Sequence, residues 1–186
     1  IPQSAAEVLR QIGACETCST WESAAGYGAL SHTVTVSRGE NLFPRLDMDK
    51  VLQMCLIHDL GECFTGDIPS FLKTDADTTR EDSLLAQWVS SLPAPYCTEM
   101  AALYAEMDAL ETDEARLYKA LDKLEAVIQH NEAPISTWLP REYALNLTYA
   151  DENVAFSPYL TALREAVRDE TKAKIDANGG MPLSAE

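Results

Sequence analysis

Apolar positions recur every three or four residues over several stretches of this chain, the spacing of an amphipathic helix. Val51, Leu52, Cys55, Leu56 and Leu60 carry that period after Asp47, which suits a helix start, and Gly66 is a natural stop. Leu84, Leu85, Trp88 and Val89 carry it next, to about Leu92. Thr78-Thr-Arg-Glu81 reads as the capping box that opens this second helix. Pro93 and Pro95 interrupt the chain, and a helix from about Tyr96 to Leu110 follows. Thr112 caps the next helix, with Asp113 and Glu114 at its positive end and apolar positions at Leu117, Leu121, Leu124, Val127 and Ile128. Pro134 closes it after His130-Asn131. Ser157-Pro158 opens a final helix to about Ala177, which Asn178-Gly-Gly ends.

The rest of the chain is less periodic. Ser4-Ala-Ala-Glu7 is a capping box for a short helix to about Ile12, stopped by Gly13. From Cys15 to Asn41 Gly, Ser and Thr accumulate, and HTVTV (32–36) alternates as a strand does. Residues 135–156 read as mostly irregular. No repeat or low-complexity tract is visible. The pattern predicts an all-α single domain over 1–178, with 179–186 a tail lacking fixed structure.

Charge narrows the partners. The 186 residues hold 30 acidic against 14 basic side chains, a net charge of −16. That balance argues against a nucleic acid polymer, whose phosphates need clustered Lys and Arg, but leaves a mononucleotide open. No apolar run reaches membrane-spanning length and no signal-peptide pattern stands at Ile1, so no membrane partner is expected. Five cysteines, an odd number, suggest no disulfide framework, and a reducing cytoplasm is the expected location. Cys55 and Cys63 read as buried small hydrophobes. Cys15-Glu-Thr-Cys18 is a lone pair without a second at zinc-finger spacing.

The stretch CLIHDLGECFTGDIPSF (55–71) carries candidate chemistry. A helix there sets His58, Asp59 and Glu62 within about one turn, with Asp67 just past its end. Acidic groups among Cys55, Leu56, Ile57 and Leu60 are costly unless compensated, and a metal ion would compensate them. Imidazole plus carboxylate suits Mn, Fe, Co, Zn or Ni better than Ca. Two ligands are too few. Asp122, in LYKALDKLEAVIQ, is the candidate from a second helix. Each residue has a plainer reading. His58 and Asp59 could be a hydrogen-bonded core pair, and Asp122 could pair with Lys119 or Lys123. Glu62 is either a solvated acid or a general acid or base, and Asp67 is either a turn residue or part of a site. His130 reads as surface polarity, and Trp88 and Trp138 read as packing.

HDLGE followed by TGDIPSF resembles the HD-domain metal-dependent phosphohydrolases, most of all the branch of 5′-deoxyribonucleotidases. His58, Asp59, Glu62, Gly66, Asp67 and Ile68 match its pattern H-D-x-x-E-x-x-x-G-D-I, and Lys119–Glu125 matches the segment bringing the last ligating Asp, here Asp122. The likeness runs from about Asp47 to Asn131. It implies a helical bundle around a single divalent transition metal held by an early His, His58, Asp59 and Asp122. It further implies that Glu62 assists proton transfer and that Asp67 sits near the leaving-group oxygen or sugar. The implied reaction releases phosphate from (deoxy)nucleoside 5′-monophosphates, and a homodimer is implied as well. The early His is where the chain departs from the pattern. Trp21-Glu-Ser-Ala-Ala-Gly-Tyr-Gly places Tyr27 at its position, with His32 five residues later, and no Arg stands between Cys15 and Trp21 to grip phosphate. Those departures put metal affinity and transition-state stabilisation in question. The alternative is a catalytically silent HD-fold protein that binds a metal or nucleotide.

Overall fold

Asp47 does cap a helix: its carboxylate accepts from the Lys50 N–H at 3.1 Å, and α1 runs Met48–Ile57. This computed structural model describes residues 43–68 and 71–180, and among them every regular element is helical. The Ser4–Glu7 box with its helix to Ile12, Cys15 and Cys18, Tyr27, the strand-like 32–36 with His32, and tail residues 181–186 lie outside the described residues.

The periodicity predicts one helix as far as Gly66, but α1 stops one residue before the His-Asp pair. Residues 58–61 form a turn, and a short α2, Glu62–Thr65, follows. Side chains occupy carbonyls at the break. His58 Nδ1 lies 2.9 Å from the Cys55 carbonyl, and the Tyr104 hydroxyl donates to the Ile57 carbonyl at 2.7 Å. The N–H groups of Leu60 and Glu62 then bond three residues back, to Ile57 and Asp59, the tighter spacing of a 3₁₀ turn. Gly66 does end α2, at a φ of 83° that disfavours a side chain. The buried stripe of α1 is Val51, Met54 and Cys55, whereas Leu56 is half exposed and Cys63 only half-buried.

The next helix, α3, is Asp75–Ser91 and starts earlier than Thr78. Its capping box is Thr74 with Asp77: Asp77 N–H donates to Thr74 Oγ1 at 3.3 Å and Thr74 N–H to Asp77 Oδ2 at 3.0 Å. Thr78 and Thr79 therefore lie inside the first turns and donate back to the carbonyls of Thr74 and Asp75. After α4 (Tyr96–Ala109), Thr112 Oγ1 accepts from Ala115 N–H at 3.2 Å and opens α5, Asp113–Glu132. This helix is the axis of the fold. Leu117, Leu121, Leu124 and Val127 are fully buried, and α1 and α4 pack on it.

Residues 135–156 are ordered, contrary to the irregular reading. A 3₁₀ turn (Ile135–Thr137) leads to α6, Pro140–Thr148, and α7, Asp151–Val154. Pro140 takes the first helical position and Glu142 accepts from the Leu139 N–H at 2.6 Å. The apolar period is weak there because polar bonds hold the segment. Arg164, almost wholly buried on α8 (Pro158–Ala177), donates to the carbonyls of Asn146 and Tyr149 at 2.9 and 2.6 Å and pairs with Asp151. Ser157 caps α8 as read, and Asn178 with Gly179 and Gly180 ends it. His130 is structural rather than mere surface polarity: its Nε2 lies 3.4 Å from Glu142, and its carbonyl accepts from Trp138. No described helix is long and apolar enough to cross a membrane.

Candidate metal centre

The turn after α1 and the middle of α5 bring three of the sequence candidates together. His58 Nε2 lies 2.9 Å from Asp59 Oδ2 and 3.7 Å from Asp122 Oδ1. Its side chain is 6 % exposed, so this contact is nearly dry. The other ring nitrogen decides the chemistry. Nδ1 faces the Cys55 carbonyl, which can only accept, so Nδ1 must carry a hydrogen. Neutral His58 therefore turns a lone pair on Nε2 toward two carboxylates. Such a junction of acceptors needs a cation, either a proton or a metal ion. In the proton's case the imidazole is stabilised above its ordinary range: burial opposes charging, but the hydrogen bond and charge of Asp59, with the charge of Asp122, outweigh it.

One nitrogen and two carboxylates are a donor set that fits a divalent transition metal, and the Nδ1 contact is the outer bond that fixes a ligating imidazole. The arrangement is not a ready coordination sphere. Among the described residues no three His, Cys, Asp or Glu side chains are spaced to hold an ion as they stand. Asp59 closes directly on His58, and Asp122 Oδ2 is engaged by Lys119 at 2.9 Å and Lys123 at 3.3 Å. Burial alone would raise the Asp122 carboxyl. The two lysines and His58 overcome that and hold it below the ordinary carboxylate range. The plain reading of Asp122, a partner of Lys119 and Lys123, is thus what the structure shows.

Glu62 and Asp67 line the same cleft, whose volume is about 1160 Å³. Small-molecule sites run to roughly 300–1,000 Å³, so there is room for a nucleotide-sized ligand. Glu62 opens α2 and is half-buried, whereas Asp67, beyond Gly66, is exposed. Burial, then the charges of Asp59, Asp67 and Glu81, push the Glu62 carboxyl up to about 8, so it keeps its proton at neutral pH.

Sequence reasoning missed several acidic and basic side chains in this cleft, among them Glu125, Lys73 and Glu81. Glu125 is buried one turn beyond Asp122 and accepts from Gln129. Its burial, reinforced by Asp122, drives its carboxyl up to about 7 against the Gln129 bond. The i,i+3 spacing from Asp122 could have found it. Lys73, in the loop between α2 and α3, pairs at 2.8 Å with Glu81 of α3, and no local spacing announces them.

Comparison with known proteins bears on this geometry. The HD domain family matches residues 30–164. The chain is 30% identical to the 5′-deoxynucleotidase HDDC2 of Mus musculus over 90 residues, 47% of this chain and 45% of that protein. Its likeness to the Homo sapiens 5′-deoxynucleotidase HDDC2 is also 30% over 90 residues, 47% of this chain and 44% of that one. The matched stretch thus spans less than half the length of these curated relatives. A predicted metal-dependent phosphohydrolase from Magnetospirillum magnetotacticum MS-1 superimposes with a TM-score of 0.62 at 26% identity, over 83% of this chain and 76% of that one.

Proposed function

This chain belongs to the HD domain family, and from that premise we propose that it is a metal-dependent phosphohydrolase releasing phosphate from deoxynucleoside 5′-monophosphates. The observation that carries the proposal is His58, whose Nδ1 is committed to a backbone carbonyl while Nε2 faces Asp59 and Asp122. Those three side chains would hold the ion, with Mn, Co, Fe, Zn or Ni as suitable occupants. When bound, a divalent ion supplies Lewis acidity toward a phosphate oxygen and a nucleophile from water near neutral pH. Glu62, half-buried on the cleft wall at the start of α2, is the proton-transfer group in this reading. Asp67, exposed at the cleft wall, is available to orient the sugar. The named activity of the HDDC2 relatives supports the deoxynucleotide substrate.

A silent HD-fold protein is the second reading. Lys119 and Lys123 already neutralise Asp122, and Tyr27 stands at the family's early histidine. Elemental analysis of protein purified without chelator, beside His58→Ala, separates the two. Near-stoichiometric transition metal that disappears in His58→Ala, with phosphate release from a deoxynucleoside monophosphate in added Mn or Co, is the expected result. Absence of metal from both samples overturns the proposal and leaves the silent reading.

A further inference from the structure

We infer that Glu81 is a positioning residue for Glu62: from α3 it clamps the Gly61–Thr65 turn on which Glu62 stands. The inference rests on reading Glu62 as the proton-transfer group. Three contacts converge on this one side chain, which is 14 % exposed. Its Oε2 accepts from Thr65 Oγ1 at 3.2 Å and pairs with Lys73 Nζ at 2.8 Å. Its Cγ occupies the space beside Gly61, where an added Cβ would lie 2.7 Å away. Gly61 and Thr65 bracket Glu62 in the chain, so the clamp grips both ends of the turn that aims it.

The turn needs such an anchor. Four residues of helix lie below the length at which propagation repays nucleation, and Gly61 supplies no side-chain cap. Gly61 itself has φ −60°, ψ −35°, ordinary helical values that any residue adopts. Glycine is required there for space, and Glu81 fills that space. Lys73 keeps the clamp from being an uncompensated, largely buried charge beside Glu62 and Asp59.

The test uses Glu81→Gln, Glu81→Ala, Gly61→Ala and the double variant Gly61→Ala/Glu81→Ala. Two readouts are taken: amide hydrogen exchange across residues 58–68, and kcat and KM for phosphate release from a deoxynucleoside monophosphate with Mn. Glu81→Ala should speed exchange at residues 61–66 by about 10-fold or more, since a local opening is no longer tied down. It should lower kcat about 10- to 100-fold with KM little changed, the cost of misplacing a reacting group by about 1 Å. Glu81→Gln retains the Thr65 bond without the Lys73 charge pair and should fall between wild type and Ala. Gly61→Ala alone should resemble Glu81→Ala, because the new methyl displaces the clamp. In the double variant it should add almost nothing, because the side chain it clashes with is gone. Unchanged exchange in Glu81→Ala overturns the inference, as does full additivity in the double variant. Should the wild type release no phosphate, the functional reading fails, and the exchange data with the double-variant comparison decide the clamp alone.

Discussion

Single side chains in this cleft are placed at a cost to the fold. A carboxyl that keeps its proton to about pH 8 is Glu62's condition in the folded chain, against about 4.5 in the unfolded one. Between those values the unfolded state sheds a proton that the folded state retains. Its contribution to stability is therefore full below about pH 4.5, falls as pH rises, and is lost above about pH 8. Glu62→Gln removes that dependence. Metal-stripped Glu62→Gln should melt above the wild type at pH 8, with the gap closing toward pH 4.5, in paired thermal scans. A gap independent of pH would refute the assignment. Asp122 is the opposite case: two lysines keep it charged in a nearly dry site, so its negative charge is present before any ion arrives.

At the level of elements, caps and tertiary bonds set the boundaries more than apolar period does. Thr74 and Thr78 offer a direct comparison, since the sequence reading puts the box at Thr78 and the structure puts it at Thr74. Thr74→Ala should cost about 1 kcal/mol in urea unfolding, whereas Thr78→Ala, an exposed hydroxyl bonded back along the helix, should cost less than about 0.5 kcal/mol. Equal losses would restore the later start. The end of α1 follows the same logic. His58 and Tyr104 occupy carbonyls there, and His58, the first residue past the helix, meets Asp122 of α5 at 3.7 Å.

On the scale of the molecule, ion binding and folding are linked. The proposed ligands come from the α1–α2 turn and from α5, elements adjacent only in the folded chain. An ion held there stabilises the folded state by about 2.7 kcal/mol at 100 times its dissociation constant. Mn or Co should accordingly raise the melting temperature of metal-stripped wild type, and EDTA should reverse it. His58→Ala should show neither change, and an equal shift in that variant would locate the ion elsewhere. The net charge of −16 works against compaction, and a divalent ion on the proposed ligands would reduce it.

Helix identity was legible along most of the described chain, because a buried stripe at period 3.6 must repeat in the sequence: α5 is the clearest instance, with Leu117, Leu121, Leu124 and Val127 all in the core. His58, Asp59 and Asp122 stood open as candidates because imidazole and acids among apolar neighbours demand compensation, and it was the likeness of HDLGE and TGDIPSF to the HD-domain family that joined them with Glu62 and Asp67. Tertiary structure alone decided the break before His58, the helices of 140–154 held by Arg164, and the Lys73–Glu81 clamp under Glu62. Each depends on hydrogen bonds or ion pairs between residues brought together by folding, and pairing of that kind leaves no periodic trace in a single chain.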